Sequence, residues 1–223
     1  MALKFLFPSS RLFASCLFAA YWFFTCGAVY SASIVDTGPG SGPDPYSGNV
    51  WVFPADGILA GQFSILEGTR ITSAEGWFGV SDTGLDFDIL IYDQSTSGLP
   101  GSVLFSGSAF APPQSPTGDE MFVFDWFGLS GLNWELPAGT YWIAYQVSDP
   151  LNPDLAVMPG PSPNPLIHYA ENRSSTSYEW EYADWLNLGV RIEGNPVPLP
   201  ASIWLFLSGF TSLLIFRKRG RRD

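Results

Sequence analysis

Basic residues are almost absent from the middle of this sequence. The chain has 223 residues and a formal net charge of −11. Between Ser33 and Asn195 it has three of its 10 basic residues and 20 of its 21 acidic residues, a formal charge of −17 for that region. Nucleic-acid binding depends on clustered lysine and arginine, so we expect no nucleic-acid partner.

Cysteine and histidine are also scarce, which limits the chemistry that the chain can perform. Cys16 and Cys26 are the only cysteines, and both lie in an apolar stretch near the N-terminus. Without that stretch the protein has no thiol, disulfide or cysteine-ligated metal. His168 is the only histidine, and no motif resembles a nucleophile elbow. We therefore expect a protein that is not an enzyme and has no cofactor.

The N-terminal apolar run has the layout of a secretory signal peptide. Lys4 and Arg11 precede an apolar run over 12–29, which gives way to small residues at 31–33. This order of basic, apolar and small residues is typical of such peptides. We predict a helical signal peptide over 1–33, cleaved near its end. The alternative is an uncleaved membrane helix, since the run is about long enough to cross a bilayer.

A second apolar run predicts a transmembrane helix near the C-terminus. Residues 201–216 contain no charge, and at about 1.5 Å per residue they span roughly 24 Å. The alternative is a buried helix of the globular domain, but an adjoining basic cluster is typical of a stop-transfer segment whose basic end stays cytoplasmic. That cluster consists of Arg217, Lys218, Arg219, Arg221 and Arg222.

A proline motif stands directly before this apolar run. It consists of Val197, Pro198, Leu199 and Pro200, and the apolar run and the basic cluster follow in order. The whole segment, 196–223, resembles a PEP-CTERM sorting signal in its V-P-L-P form. The resemblance implies recognition and cleavage by exosortase, a membrane-embedded cysteine protease, in bacteria that make exopolysaccharide or biofilm.

The two ends together imply an export route. The domain is expected to cross the bacterial inner membrane, to be anchored there transiently on the periplasmic side, and then to reach the cell surface or the extracellular matrix. Exosortase, the inner membrane and exopolysaccharide are the expected partners. The route does not assign an activity to the domain.

Between its ends the sequence predicts one all-β domain. Gly 23, Pro 19, 16% aromatic and 14% charged residues favour many short strands and turns. We assign 34–49 to a flexible Gly/Pro-rich leader and 50–195 to an antiparallel two-sheet sandwich of about eight to ten strands. The segments DFDILIYD, GLPGSVLFSG and LPAGTYWIAYQV resemble jelly-roll-like domains of exported bacterial proteins.

Alternation of apolar and polar residues locates the strands. Phe87, Ile89 and Ile91 share one predicted face, and Asp86 and Asp88 share the other. In the predicted strand 139–147 one face is shared by Tyr141, Ile143, Tyr145 and Val147. The further predicted strands are 61–66, 70–80, 102–109, 121–126, 166–169 and 186–192.

Three carboxylates form one candidate site. Asp82, Asp86 and Asp88 could gather a hard cation such as Ca²⁺, which prefers oxygen ligands. Strand alternation alone also places Asp86 and Asp88 on one face, so an ordinary solvent-facing role explains them equally well.

Three aromatic residues form another candidate site. Tyr178, Trp180 and Tyr182 would share one face of an extended segment and could stack on sugar rings. The alternative is that these rings belong to the core, because large aromatic residues dominate sandwich cores as well.

Three hypotheses for function follow. The first is a non-enzymatic surface or matrix protein, sorted by exosortase and associated with exopolysaccharide or biofilm. The second is a carbohydrate-binding module that uses the aromatic platform. The third is a glycoside hydrolase with a carboxylate pair, which requires two acids facing each other across a pocket.

Processing at both ends predicts a change in mass. The protein recovered from the outer surface of its native host should be lighter than the 24.4 kDa of the full chain. Intact-mass spectrometry should show the loss of the N-terminal segment and of the residues after Pro200. A retained C-terminus would instead indicate a permanently membrane-anchored periplasmic protein.

Overall fold

The computed structural model describes residues 31–40, 57–80, 82–115, 122–147, 157–173, 179–183 and 185–197. These residues form strands, turns and irregular segments, with no helix. Accordingly, no helix suited to crossing a bilayer is found among them. The predicted signal helix before residue 31 and the predicted transmembrane helix at 201–216 lie outside the described residues.

The described part of the chain contains ten strands. Their bounds are β1 Ala32–Asp36, β2 Ile58–Ile65, β3 Thr69–Val80, β4 Leu85–Gln94, β5 Pro100–Ala111, β6 Val123–Leu136, β7 Gly139–Val147, β8 Tyr169–Asn172, β9 Glu181–Tyr182 and β10 Val190–Pro196.

The strands form two antiparallel sheets, so the prediction of an all-β sandwich is confirmed. The four-stranded sheet has the order β1-β10-β3-β6, and the six-stranded sheet has the order β5-β4-β7-β2-β8-β9. All strand pairings within both sheets are antiparallel. Strands adjacent in sequence often lie in different sheets, so the core depends on contacts between distant segments.

The core lies between the sheets and follows the predicted alternation. Phe87, Ile89 and Ile91 in β4 are fully buried, as are Ile143 and Tyr145 in β7. These side chains share one face because successive residues of a strand point to opposite sides. The predicted inner faces of β4 and β7 are therefore confirmed.

Aromatic rings join the two sheets across this core. The ring of Phe78 in β3 lies 4.6 Å from that of Phe87 and 5.6 Å from that of Tyr145, measured between centroids. The Tyr145 hydroxyl also donates a hydrogen bond to the Glu75 carbonyl oxygen at 2.8 Å. A polar group of the six-stranded sheet is thus paired with the backbone of the other sheet, as a buried hydroxyl requires.

The folded part begins earlier than the sequence predicts. Strand β1 covers 34–36, the first residues assigned to the flexible leader, and the leader beyond residue 40 lies outside the described residues. Residues 32–36 pair with β10, so these three leader residues belong to the sheet. Signal cleavage after Ser31 would leave β1 whole, whereas cleavage after Ser33 would remove its first two residues.

The buried Tyr145 hydroxyl that bonds the two sheets predicts a pH-dependent stability. Burial, followed by the charge of Glu75, raises the pKa of Tyr145 well above its ordinary value of 10.0. The folded state therefore favours the neutral phenol. Because this phenol ionises first in the unfolded chain, the free energy of unfolding falls as pH rises above 10. At neutral pH, Tyr145→Phe should lower the free energy of unfolding by about 1 kcal/mol.

Urea denaturation across neutral and alkaline pH measures both effects. Above pH 10 the stability of Tyr145→Phe should fall less steeply than that of the unsubstituted protein. Phe78→Leu is the matched control, because it disturbs the same core without removing an ionisable group. Equal alkaline slopes in Tyr145→Phe and Phe78→Leu would contradict the role assigned to the Tyr145 phenol.

Candidate functional site

The six-stranded sheet is apolar on its outer face as well as in the core. Trp142 and Ala144 alternate with the core residues of β7 and therefore point outward, yet both are fully buried. They belong to a second cluster on this face, separate from the core cluster. An antiparallel sheet usually presents polar side chains on its solvent face, so this outer face requires a separate explanation.

Three alanines form a row across this face. The pairing register places Ala60 opposite both Ala144 and Ala170, on neighbouring strands. All three are fully buried, so their small side chains leave room for larger side chains to pack over β7, β2 and β8. Trp180 and Leu99 are partly buried and pack against the cluster that contains this row.

A groove of about 380 Å³ lies on the same face. This volume falls within the range of about 300–1,000 Å³ that is usual for ligand sites. The groove's described lining includes two aromatic residues, two amides, two aliphatic residues and the start of β5, namely Tyr92, Trp180, Gln146, Asn172, Ile58, Val103 and the pair Pro100-Gly101.

The polar and aromatic lining residues come from different strands. Ile58 of β2 pairs with Gln146 of β7 on one side and with Asn172 of β8 on the other, so the two amides flank it in one row. The Tyr92 and Trp180 rings stand 5.4 Å apart at 80°, an edge-to-face contact. Sheet register thus brings hydrogen-bonding groups and ring surfaces to one groove.

A tight turn between β4 and β5 extends over this face. Gly98 has φ 86°, a left-handed conformation that glycine adopts without strain. Its carbonyl oxygen accepts a hydrogen bond from Gln62 Nε2 at 3.4 Å, and the neighbouring Ser97 carbonyl accepts one from the Tyr182 hydroxyl at 3.4 Å. These contacts attach the turn to the sheet beneath it.

The start of β5 requires a glycine at the groove. A Cβ at Gly101 would overlap the Asp93 carboxylate, which accepts a hydrogen bond from the Ser102 amide at 2.5 Å. The absence of a side chain at Gly101 therefore lets β5 approach β4 closely while the groove stays open.

The described lining of the groove is uncharged. None of its described lining residues is acidic or basic. Burial raises the pKa of Tyr92 above 10.0, so this phenol is neutral at physiological pH. Trp180 and Gln146 are partly exposed, whereas Tyr92 and Asn172 line the groove from buried positions, at 7% and 3% exposure. The arrangement can therefore supply a ring face and amide hydrogen bonds, chiefly from Trp180 and Gln146.

The predicted aromatic platform is only partly described. Trp180 and Tyr182 both lie over the outer face of the six-stranded sheet, while Tyr178 lies outside the described residues. Trp180 lines the groove, whereas Tyr182, which is 48% exposed, contacts the rings of Trp142 and His168 at 6.5 and 5.8 Å. The outer face thus has a broader aromatic surface than the platform alone.

The predicted calcium ligands are not brought together. Asp82 and Asp86 are exposed, and Asp88 is half-buried and accepts a hydrogen bond from Ser108 Oγ. In the described ranges no three or more His, Cys, Asp and Glu residues are placed to hold a metal ion. Strand alternation alone places Asp86 and Asp88 on one face, in agreement with the alternative of an ordinary solvent-facing role.

Most of the predicted sorting segment lies outside the described residues. Val197 is described, and its amide donates a hydrogen bond to the Gly68 carbonyl oxygen at 2.7 Å. Pro198 to Pro200 and the basic cluster at 217–222 are beyond the last described residue. The first residue of the motif is therefore hydrogen-bonded to the connection between β2 and β3.

Sequence reasoning missed most of the groove. No sequence motif indicates four of the other lining residues, because each stands alone in its own strand. They are Tyr92, Gln146, Asn172 and Ile58. The available signal was the series of outward residues between predicted core positions, since Trp142 and Ala144 are apolar where a solvent face would be polar. Only Trp180 was identified in advance.

Comparison with known proteins assigns the chain to no family. No protein-family model matches the sequence, and no curated protein matches it.

The two outward tryptophans should differ in their effect on stability. Trp142 is fully buried, so Trp142→Ala should cost about 3–5 kcal/mol, as for other large core truncations. Trp180 is only partly buried, so Trp180→Ala should cost about 1–2 kcal/mol. Urea denaturation of both variants measures the difference. Equal losses would indicate that Trp180 acts as a core residue.

Proposed function

We propose that this protein is an exported, non-enzymatic glycan-binding protein of the cell surface or extracellular matrix, retained there by exopolysaccharide. The observation that carries the proposal is the groove on the six-stranded sheet. It combines the ring faces of Tyr92 and Trp180 with the amides of Gln146 and Asn172.

These groups suit the chemistry of a sugar. A pyranose ring has an apolar face of C–H groups and a rim of hydroxyl groups. Aromatic rings such as Trp180 and Tyr92 present large apolar surfaces for the former. Amides such as Gln146 and Asn172 have both donors and acceptors, and therefore match hydroxyl groups in either role.

The proposed fold is a jelly roll, a finer description than a two-sheet sandwich. The order β1-β10-β3-β6 faces the order β5-β4-β7-β2, which supports eight strands arranged as two Greek keys. Strands β8 and β9 extend the second sheet beyond β2 and carry the groove residue Asn172. This extension would then be an addition that widens the binding face.

The export route is part of the proposal and rests on the sequence. We infer removal of the segment before β1 by signal peptidase and cleavage of the PEP-CTERM-like tail by exosortase, with the inner membrane as a transient anchor. The domain would pass through the periplasm to the surface or matrix. Its high negative charge would keep it soluble there.

The hydrolase hypothesis receives less support than binding. Glycoside hydrolysis by either usual mechanism requires two carboxyl groups facing each other across the scissile bond. The described lining of this groove contains no acid. Binding without bond cleavage is therefore the function that this groove supports best.

Affinity gel electrophoresis tests the proposal. Exopolysaccharide prepared from the native host is cast into the gel, and the full chain is run in a non-ionic detergent without a sugar headgroup. The polymer should slow the protein, and Trp180→Ala should weaken binding about tenfold or more, equivalent to about 1.4 kcal/mol per tenfold.

Trp126→Ala is the matched control for this experiment. Trp126 lies on β6 in the four-stranded sheet, where it packs against Trp77 with 5.4 Å between ring centroids, away from the groove. This variant should migrate as the unsubstituted protein does. No retardation by host polymer, or an equal loss in Trp126→Ala and Trp180→Ala, would refute binding at the groove.

A further inference from the structure

The described lining of the groove contains no cation with which to bind an acidic sugar. The three arginines between Ser33 and Asn195 all lie in described segments, and each forms an ion pair. Arg70 pairs with Glu135, Arg173 pairs with Glu171 at 2.7 Å, and Arg191 pairs with two carboxylates at 3.4 and 3.5 Å. None of the three is among the described lining residues.

The positions of these arginines explain why they do not serve the groove. Arg70 and Arg191 belong to β3 and β10 of the four-stranded sheet. Glu171 precedes Asn172 in β8 and therefore points to the opposite face, so its ion pair holds Arg173 away from the Asn172 side chain. A carboxylate, sulfate or phosphate in the groove would lack a charged partner among the described lining residues.

The charge of the whole domain also disfavours the binding of acidic sugars. The region from Ser33 to Asn195 has a formal charge of −17, which repels a polyanion before it reaches the surface. At physiological ionic strength this repulsion extends about 8 Å from the surface. A neutral polymer is not subject to it.

The spacing of the amides indicates how much of a polymer is bound. Gln146 and Asn172 lie on β7 and β8, with Ile58 of β2 between them. Neighbouring strands are about 4.8 Å apart, so the two positions are separated by about 10 Å. This distance exceeds the width of one pyranose ring, so both amides together are suited to a chain of linked sugars.

We propose that the groove binds a neutral, hydroxyl-rich segment of polysaccharide that lies across the strands, and that it rejects polyuronates and other polyanionic glycans. This inference rests on the proposed glycan-binding function and names its ligand class. Tyr92 and Trp180 would contact the ring faces, and Gln146 and Asn172 would contact hydroxyl groups of different sugar units.

The test compares neutral and acidic polymers on the same protein. The full chain is run in affinity gels that contain a β-glucan, a mannan, a xylan or a polygalacturonate. Its basic C-terminal cluster would itself bind a polyanion, so that cluster is neutralised by Arg217→Gln, Lys218→Gln, Arg219→Gln, Arg221→Gln and Arg222→Gln. Each gel is run at about 0.01 M and about 1 M salt, where the Debye length is about 30 Å and about 3 Å. At least one neutral polymer should slow the protein at both salt concentrations, and its tetrasaccharide should compete at least tenfold better than its monosaccharide. Polygalacturonate should not slow the protein in either condition.

A charge-introducing variant tests the role of the groove itself. Gln146→Arg places a cation in the groove and should allow retardation by polygalacturonate at about 0.01 M salt that disappears at about 1 M. Ser64→Arg is the matched control, since Ser64 is an exposed residue on the same face of β2 outside the described groove lining. It adds the same charge and should gain no such binding. Circular dichroism establishes that both variants are folded.

The outcomes separate this inference from the proposed function. Retardation of the tail-neutralised protein by polygalacturonate, or an equal gain when Gln146→Arg or Ser64→Arg is added to it, would overturn the inference while glycan binding stands. Retardation by no neutral or acidic polymer, including host exopolysaccharide, would overturn the proposed function and this inference with it.

Discussion

The packing of Phe78 against Phe87 and Tyr145 is the contact on which the rest of the structure depends. It holds the two sheets together, because the first ring belongs to one sheet and the other two belong to the opposite sheet. Once these side chains are committed to the core, their neighbours in β4 and β7 must point outward. Tyr92, Trp142 and Gln146 are therefore placed on the outer face by the same alternation that forms the core.

This dependence explains why the candidate site and the fold cannot be altered separately. The groove is a product of register, since pairing along β2 aligns Gln146 with Ile58 and Asn172. A shift of one residue would turn each of these side chains into the core and turn core residues out to solvent. The buried face of the sheet thus fixes the position of the candidate binding face.

Alternation along single strands allowed much of the fold to be predicted. The inner faces of β4 and β7 followed directly from their sequence patterns, and the strands β2, β3 and β5 were located within a few residues. Strand β1 was missed because its five residues are an edge element beside a Gly/Pro-rich segment. Strand β6 extends to Leu136, well past the predicted end, because its later residues lie along a sheet edge with weak alternation.

The groove was largely missed, since its residues meet only after strands distant in sequence have paired. Trp180 was found because aromatic residues cluster around it in the sequence.

The pairing of β1 with β10 has a mechanical consequence. Ala32 lies opposite Gly194, so the chain enters β1 and leaves β10 at the same end of the sheet. Tension applied between the start of β1 and the end of β10 would break the hydrogen bonds between these two strands one after another, at low force. Tension between the C-terminal end and a polymer in the groove would follow another path, through β10 and across the packed interior to the opposite sheet. That path loads many core contacts at once. The domain should therefore unfold at low force when pulled by its own ends, and at higher force when pulled against a polymer bound in the groove.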